Sequence, residues 1–194
     1  MDKIVELLSR RIVDWLCVNN RIESDKEELY KYSALISIQS AINILATLFL
    51  GFIFNAFFEN ICFFIVFKIL RKYSGGLHSS RFSTCFILSI LTNTLVLIAI
   101  KLLMIYPNYY LAIAFEVISF LLIICFAPVK NLNKSITEKE RKIFKLIVCA
   151  VSILLIAISV PLIFSKSVFV FSISLAMLLN SILIVIAIIN SKLS

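Results

Sequence analysis

Glycine and proline are scarce, three of each in 194 residues. Transporters built from inverted repeats tend to carry Gly- or Pro-broken spans at matched places in their two halves. No matched interruptions occur, and residues 33–105 resemble 108–190 in hydropathy alone, so that architecture gains no support. Histidine occurs once, as His78, and the five cysteines (Cys17, Cys62, Cys85, Cys125 and Cys149) contain no Cys-x-x-Cys pair. That leaves no zinc site, and neither a metal nor a cofactor is expected. An odd, scattered set of cysteines inside apolar runs implies no disulfide framework. GxSxG, HExxH and any aspartate within an apolar run are also missing, so the serine, zinc and aspartyl routes to proteolysis in a membrane fit badly. Before residue 20 there is no apolar core with a cleavage site, so no signal peptide is expected.

Charge is thin as well, at 15% of residues where a soluble domain has about a quarter, while 61% are hydrophobic. The expectation is an all-α, polytopic membrane protein with one membrane-embedded domain over 1–194. Residues 1–32 form its cytosolic or interfacial segment and 33–190 its transmembrane bundle. Along residues 2–19, at about 100° per residue, Ile4, Val5, Leu8, Ile12, Trp15 and Leu16 share an arc of about 120°. Asp2, Lys3, Glu6, Ser9, Arg10 and Asp14 take the other side. Such a helix suits the headgroup region of a bilayer, the alternative being an amphipathic helix packed on the protein. Residues 19–32 read as a charged connector.

Six apolar runs follow, near 33–54, 56–70, 85–105, 108–127, 145–164 and 168–190. A span needs roughly 20 residues, so about six transmembrane helices are expected. The second is short if Asn55 makes the preceding turn and adequate if Gly51 does. A helix over 57–70 would cover only about 21 Å of a ~30 Å hydrocarbon core, leaving the loop after it recessed into the membrane.

The net charge is +8, and its placement explains it. Six Lys and Arg precede residue 33, four lie at 68–81, six at 128–145, and Lys192 follows the last run. The opposite connections hold only Lys101 and Lys166. Positive charge stays in the cytoplasm, so both termini and the 71–85 loop are expected there, in a cell membrane. Nucleic acid is not an expected partner.

The chemistry concentrates in Arg71-Lys72-Tyr73-Ser74-Gly75-Gly76-Leu77-His78-Ser79-Ser80-Arg81-Phe82-Ser83-Thr84-Cys85. A cysteine attacks as its thiolate, and an unperturbed thiol, with a pKa of about 8.5, is little ionised at neutral pH. Imidazole, neighbouring cations or a helix N-terminus can correct this. Here His78, then Arg81 and Lys72, then the N-cap candidates Ser79, Ser80 and Ser83 offer all three to Cys85. Seven residues of continuous helix rise about 10.5 Å, too far for thiol and imidazole to meet. A dyad therefore needs a break, Gly75-Gly76 supplies the backbone freedom, and residues 74–80 are expected to be non-helical. By residue type alone, a histidine incidental to a glycine loop remains the other reading. The remaining cysteines read as small hydrophobes in spans.

With this loop the chain resembles the accessory gene regulator B (AgrB-like) family, integral-membrane cysteine endopeptidases of Gram-positive quorum sensing. The resemblance covers nearly the whole chain and has two landmarks. One is the basic, Gly-rich His…Cys signature, from Arg71 through Gly75-Gly76 to His78 and Cys85. The other is Ala127-Pro128-Val129 with the basic stretch Lys130 to Lys145 before the last two spans. The resemblance implies that Cys85 is the nucleophile and His78 its partner. It implies as substrate a propeptide with an amphipathic N-terminal part, a central signal and a charged, often acidic C-terminal tail. Cleavage through an acyl-enzyme thioester would then lead to a thiolactone or lactone ring. The family also implies a homodimer among the membrane lipids.

Lys130, Lys134, Lys139, Arg141, Lys142 and Lys145 read first as topology signals. With Lys68, Arg71, Lys72 and Arg81 they are also candidates for docking an acidic tail. Gln39 lies at the depth expected of the active site and is a candidate oxyanion donor. Glu116 sits mid-span, where a carboxyl is costly; Asn43, Asn93 and Asn180 are its candidate partners, with a role in moving peptide as the alternative. The rival function is a small transporter or peptide exporter without proteolytic activity.

Overall fold

The computed structural model describes residues 2–18, 27–75, 82–129 and 137–193. Among these residues the chain is all helical: α1 (Asp2–Val18), α2 (Glu27–Ile53), α3 (Phe57–Ser74), α4 (Phe82–Ile105), α5 (Tyr109–Phe126), α6 (Glu138–Phe164) and α7 (Phe169–Leu193). Five of them, all but α1 and α3, are long and apolar enough to cross a membrane. The expected second span, α3, falls outside that group because Glu59, Lys68, Arg71 and Lys72 lie within its 18 residues. It is also longer than expected, reaching Ser74. The charged connector expected over 19–32 is helical from Glu27, where two acidic residues occupy the first turn and Glu27 pairs with Lys31 one turn on.

With so few glycines, the left-handed positions that end helices fall on other residues. α2 ends with Asn55 at φ 51°, its N–H donating to Phe52 O while Ala56 N–H reaches back to Gly51 O. α6 ends the same way at Lys166 (φ 54°), with Lys166 N–H on Ile163 O and Ser167 N–H on Leu162 O. Both are Schellman caps, which favour Gly or Asn. Each cap carbonyl gains a donor from elsewhere in the chain: Lys101 Nζ donates to Asn55 O at 3.1 Å, and the Tyr109 hydroxyl to Lys166 O at 2.8 Å. α6 begins seven residues earlier than the apolar run at 145, because Thr137 and Glu140 form a reciprocal capping box.

Met1–Leu50 with Ser79–Asn93 form one compact unit, and Gly51–His78 with Thr94–Ser194 another. In the first, α1 buries Val5, Ser9 and Val13 and leaves Leu8, Ile12 and Trp15 exposed. Only part of the expected apolar arc is therefore covered, and Val13, which lay outside it, is buried. α2 exposes Leu45 and Phe49 there.

In the second unit α7 is the centre, packed against α3, α5 and α6, with more than half of its span buried. Ser172, Ser174, Ala176 and Ser181 are all fully buried there, small residues that let helix backbones approach closely without water to drive them together. Phe63, Val66 and Leu70 of α3 meet Val96 and Ile100 of α4, Leu155 of α6 and Ile173 and Met177 of α7 in the main core. A second cluster lies at the C-terminal end of α3, where Tyr73 packs against Ile123, Ala127, Val129, Val148, Ile184 and Ala187.

Candidate functional site

Cys85 lies in the first turn of α4, and its side chain is exposed. The expected helix N-terminus beside the thiol is therefore present. Its cap is not Ser83, which stands inside the helix as its second residue. Gln39 lies within α2, partly buried, and its carbonyl oxygen accepts from Asn43 Nδ2 at 3.1 Å. His78, Gly76, Arg81, Lys130 and Lys134 lie outside the described residues, as do Ser79 and Ser80.

The approach to the loop from α3 is defined. Ser74 is helical, contrary to expectation, and Gly75 is the first residue to leave the helix, at φ +75°. A side chain there would be strained by the backbone alone, and a Cβ would sit 2.6 Å from the carbonyl oxygen of Val129. Both facts require glycine at this position. Val129 N–H in turn donates to Ser74 O at 3.0 Å. The two sequence landmarks, read separately from the chain, thus meet here: the segment Ala127-Pro128-Val129 clamps the end of α3.

One further contact was not legible beforehand. The Ser74 hydroxyl donates to Asn180 Oδ1 at 3.0 Å, across 106 residues, with both side chains fully buried. Asn180 stood out only as a polar residue in an apolar run. Its partner is Ser74 rather than Glu116. Glu116 is 3% exposed and accepts from Ser159 Oγ at 2.6 Å. Asn43 bonds within its own helix, and among the described residues the side chain of Asn93 has no hydrogen-bond partner. None of the three asparagines serves the carboxyl; a serine does.

Cations gather where α3 ends. Lys72 is exposed, with Nζ 5.4 Å from the Tyr73 ring centroid, and Arg71 beside it is partly buried. Tyr73 packs edge-on to Phe144 of α6, centroids 6.0 Å apart. Along α6 an open groove is lined by Lys142, Lys145, Leu146, Cys149, Ala150 and Ile153, basic at one end and apolar at the other. Among the described residues no three His, Cys, Asp or Glu side chains gather as metal ligands.

Fold and site together define a multi-pass helical membrane protein with an exposed cysteine at the start of a span and a glycine-broken helix leading toward it in sequence. The chain belongs to the accessory gene regulator B family, whose profile matches residues 9–184. It is 31% identical over 153 residues to AgrB-like protein 2 of Clostridium perfringens strain 13, covering 73% of this chain and 69% of that protein. An AgrB-like protein of C. perfringens strain SM101 is 30% identical over the same length and the same shares. No solved structure matches the chain. Family membership ties it to peptide processing in accessory gene regulator quorum sensing.

Proposed function

We propose that the protein is a cysteine endopeptidase that removes the C-terminal part of a quorum-sensing propeptide and promotes ring closure of the signal. The observation that carries this reading is Cys85, exposed in the first turn of α4 in a chain of this family. The Cys85 thiolate attacks the scissile carbonyl, and the imidazolium of His78 gives its proton to the leaving amine as the C–N bond breaks. The signal part of the propeptide is left as a thioester on Cys85. A thiol or hydroxyl within that peptide then gives its proton to the now neutral imidazole of His78 and attacks the thioester, expelling the Cys85 thiolate and closing a thiolactone or lactone. Thioester-for-thioester exchange is nearly isoenergetic, so the step succeeds if water is kept from the intermediate. Gln39 is the proposed donor to the oxyanion, and Gly75 and Gly76 give the loop its shape.

Charge and surface support the rest. Arg71, Lys72, Arg81, Lys130 and Lys134 would hold the acidic tail of the propeptide, and the α6 groove would take its amphipathic part. The Lys and Arg asymmetry supports a cytosolic location for both termini and the site. α1, with Leu8, Ile12 and Trp15 exposed, lies in the headgroup region, and α3 completes six spans. The chain acts as one domain and, by family likeness, as a homodimer.

The test uses the full-length protein in proteoliposomes with a propeptide that has an amphipathic N-terminal part, a central signal and an acidic C-terminal tail. Cleavage should disappear in Cys85→Ala while insertion persists, and wild type should trap a peptide adduct on Cys85 visible in its intact mass. Continued cleavage by Cys85→Ala would overturn the proposal. Export of uncleaved peptide by that variant would favour the transporter reading.

A further inference from the structure

We propose that the α6 groove is a binding site for an anionic phospholipid, its phosphodiester between Lys142 and Lys145 and an acyl chain in the slot beyond them. The inference goes beyond the proposed function. It concerns what fills the groove before a propeptide arrives, and it holds whether or not Cys85 is a nucleophile. The lining residues recur along α6 at three- and four-residue steps, so they share one face of the helix. Leu146 and Ile153 stand out from that face, 73% and 56% exposed, and the smaller Cys149 and Ala150 between them leave the slot. From Lys145 to Ile153 the helix rises about 12 Å, close to the ~15 Å of hydrocarbon in one leaflet.

Both lysines are exposed at one end of the groove, three residues apart, within about two turns of the capping box at Thr137. Among the described residues neither pairs with a carboxylate, and Glu140 is engaged with Thr137. Topology accounts for positive charge anywhere in the basic stretch from 130 to 145. It does not require two lysines to share the head of one apolar slot. Two cations above a slot match an anionic headgroup above a chain. That pairing selects the occupant. A free phosphate would leave the slot unused, and a zwitterionic lipid would bring a cation of its own to the lysines.

The test is native mass spectrometry of the full-length protein from micelles holding equal amounts of phosphatidylglycerol and phosphatidylcholine with the same acyl chains. The parent should retain phosphatidylglycerol in about tenfold preference. Lys142→Gln/Lys145→Gln should lose that preference. Lys139→Gln/Arg141→Gln removes the same charge from neighbouring positions outside the groove and should keep it. Ala150→Leu fills the slot with both lysines intact and should lower retention of phosphatidylglycerol several-fold. All these positions are exposed, and thermal unfolding in lipid-free micelles checks that each variant is folded. Three results would each overturn the proposal: no preference in the parent, an equal loss in the Lys139/Arg141 variant, or full retention by Ala150→Leu. Diffuse surface charge would then account for any lipid held. A parent without preference, whose Cys149 is nevertheless shielded from alkylation by added propeptide when the other four cysteines are Ala, would have a peptide groove only. That outcome overturns the lipid site and leaves the proposed function standing.

Discussion

At the scale of single residues, Gly75 shows how a backbone requirement becomes a sequence signal. Its φ of +75° and the 2.6 Å approach of Val129 O to a would-be Cβ act together. Gly75→Ala should therefore cost about 2 kcal/mol of stability and reduce propeptide processing, read by thermal unfolding and cleavage rate on one preparation. Glu116 is a different case. Its carboxyl is occupied by Ser159, and that contact favours a structural role. Glu116→Gln keeps an acceptor for the serine, so it should leave processing unchanged and stability within about 1 kcal/mol. Loss of processing by a folded Glu116→Gln protein would show that the carboxyl has a role beyond packing. The glycines and the His…Cys spacing were legible because they are local. The partners of Glu116 and Asn180 were not, since both carboxyl and amide can bond to any polar group the fold brings near.

At the scale of elements, helix ends depart most from expectation, and each departure has a local cause. The capping box at Thr137 starts α6 early, the Glu27–Lys31 pair carries helix into the expected connector, and Asn55 and Lys166 supply left-handed caps where glycine is missing. Apolar runs mark the part of a helix that lies in hydrocarbon, and caps extend it into the headgroups, so hydropathy underestimates helix length. Lys166 is exposed and uses its backbone carbonyl, not its side chain, to hold Tyr109. Lys166→Gly should raise stability by about 1 kcal/mol, seen as a higher midpoint of thermal unfolding in detergent micelles. An unchanged or lower midpoint would mean that the cap conformation carries no strain. α3 is the element whose reading changed most: its charges remove it from the helices that qualify as spans by composition, and its continuation to Ser74 brings its end onto Val129.

At the scale of the whole molecule, the distribution of positive charge does two jobs in the proposed function, orientation and substrate capture, and they can be separated. Reversing Lys130 and Lys134 to Glu together should raise the KM for full-length propeptide several-fold while leaving that for a tail-less propeptide nearly unchanged. Equal effects on both substrates would remove the docking role. The sequence by itself determined that this is a multi-pass helical protein of its family. A bilayer demands about 20 apolar residues per span and internally satisfied backbone, and both demands are met along the chain without reference to distant residues. Tertiary structure alone decided that α7 is central in its unit, that Ala127-Pro128-Val129 closes on Ser74-Gly75, and that Glu116 pairs with Ser159 while Asn180 pairs with Ser74. Those choices depend on the register in which helices pack. Register is set by the summed fit of small and large side chains many residues apart, which no local pattern records.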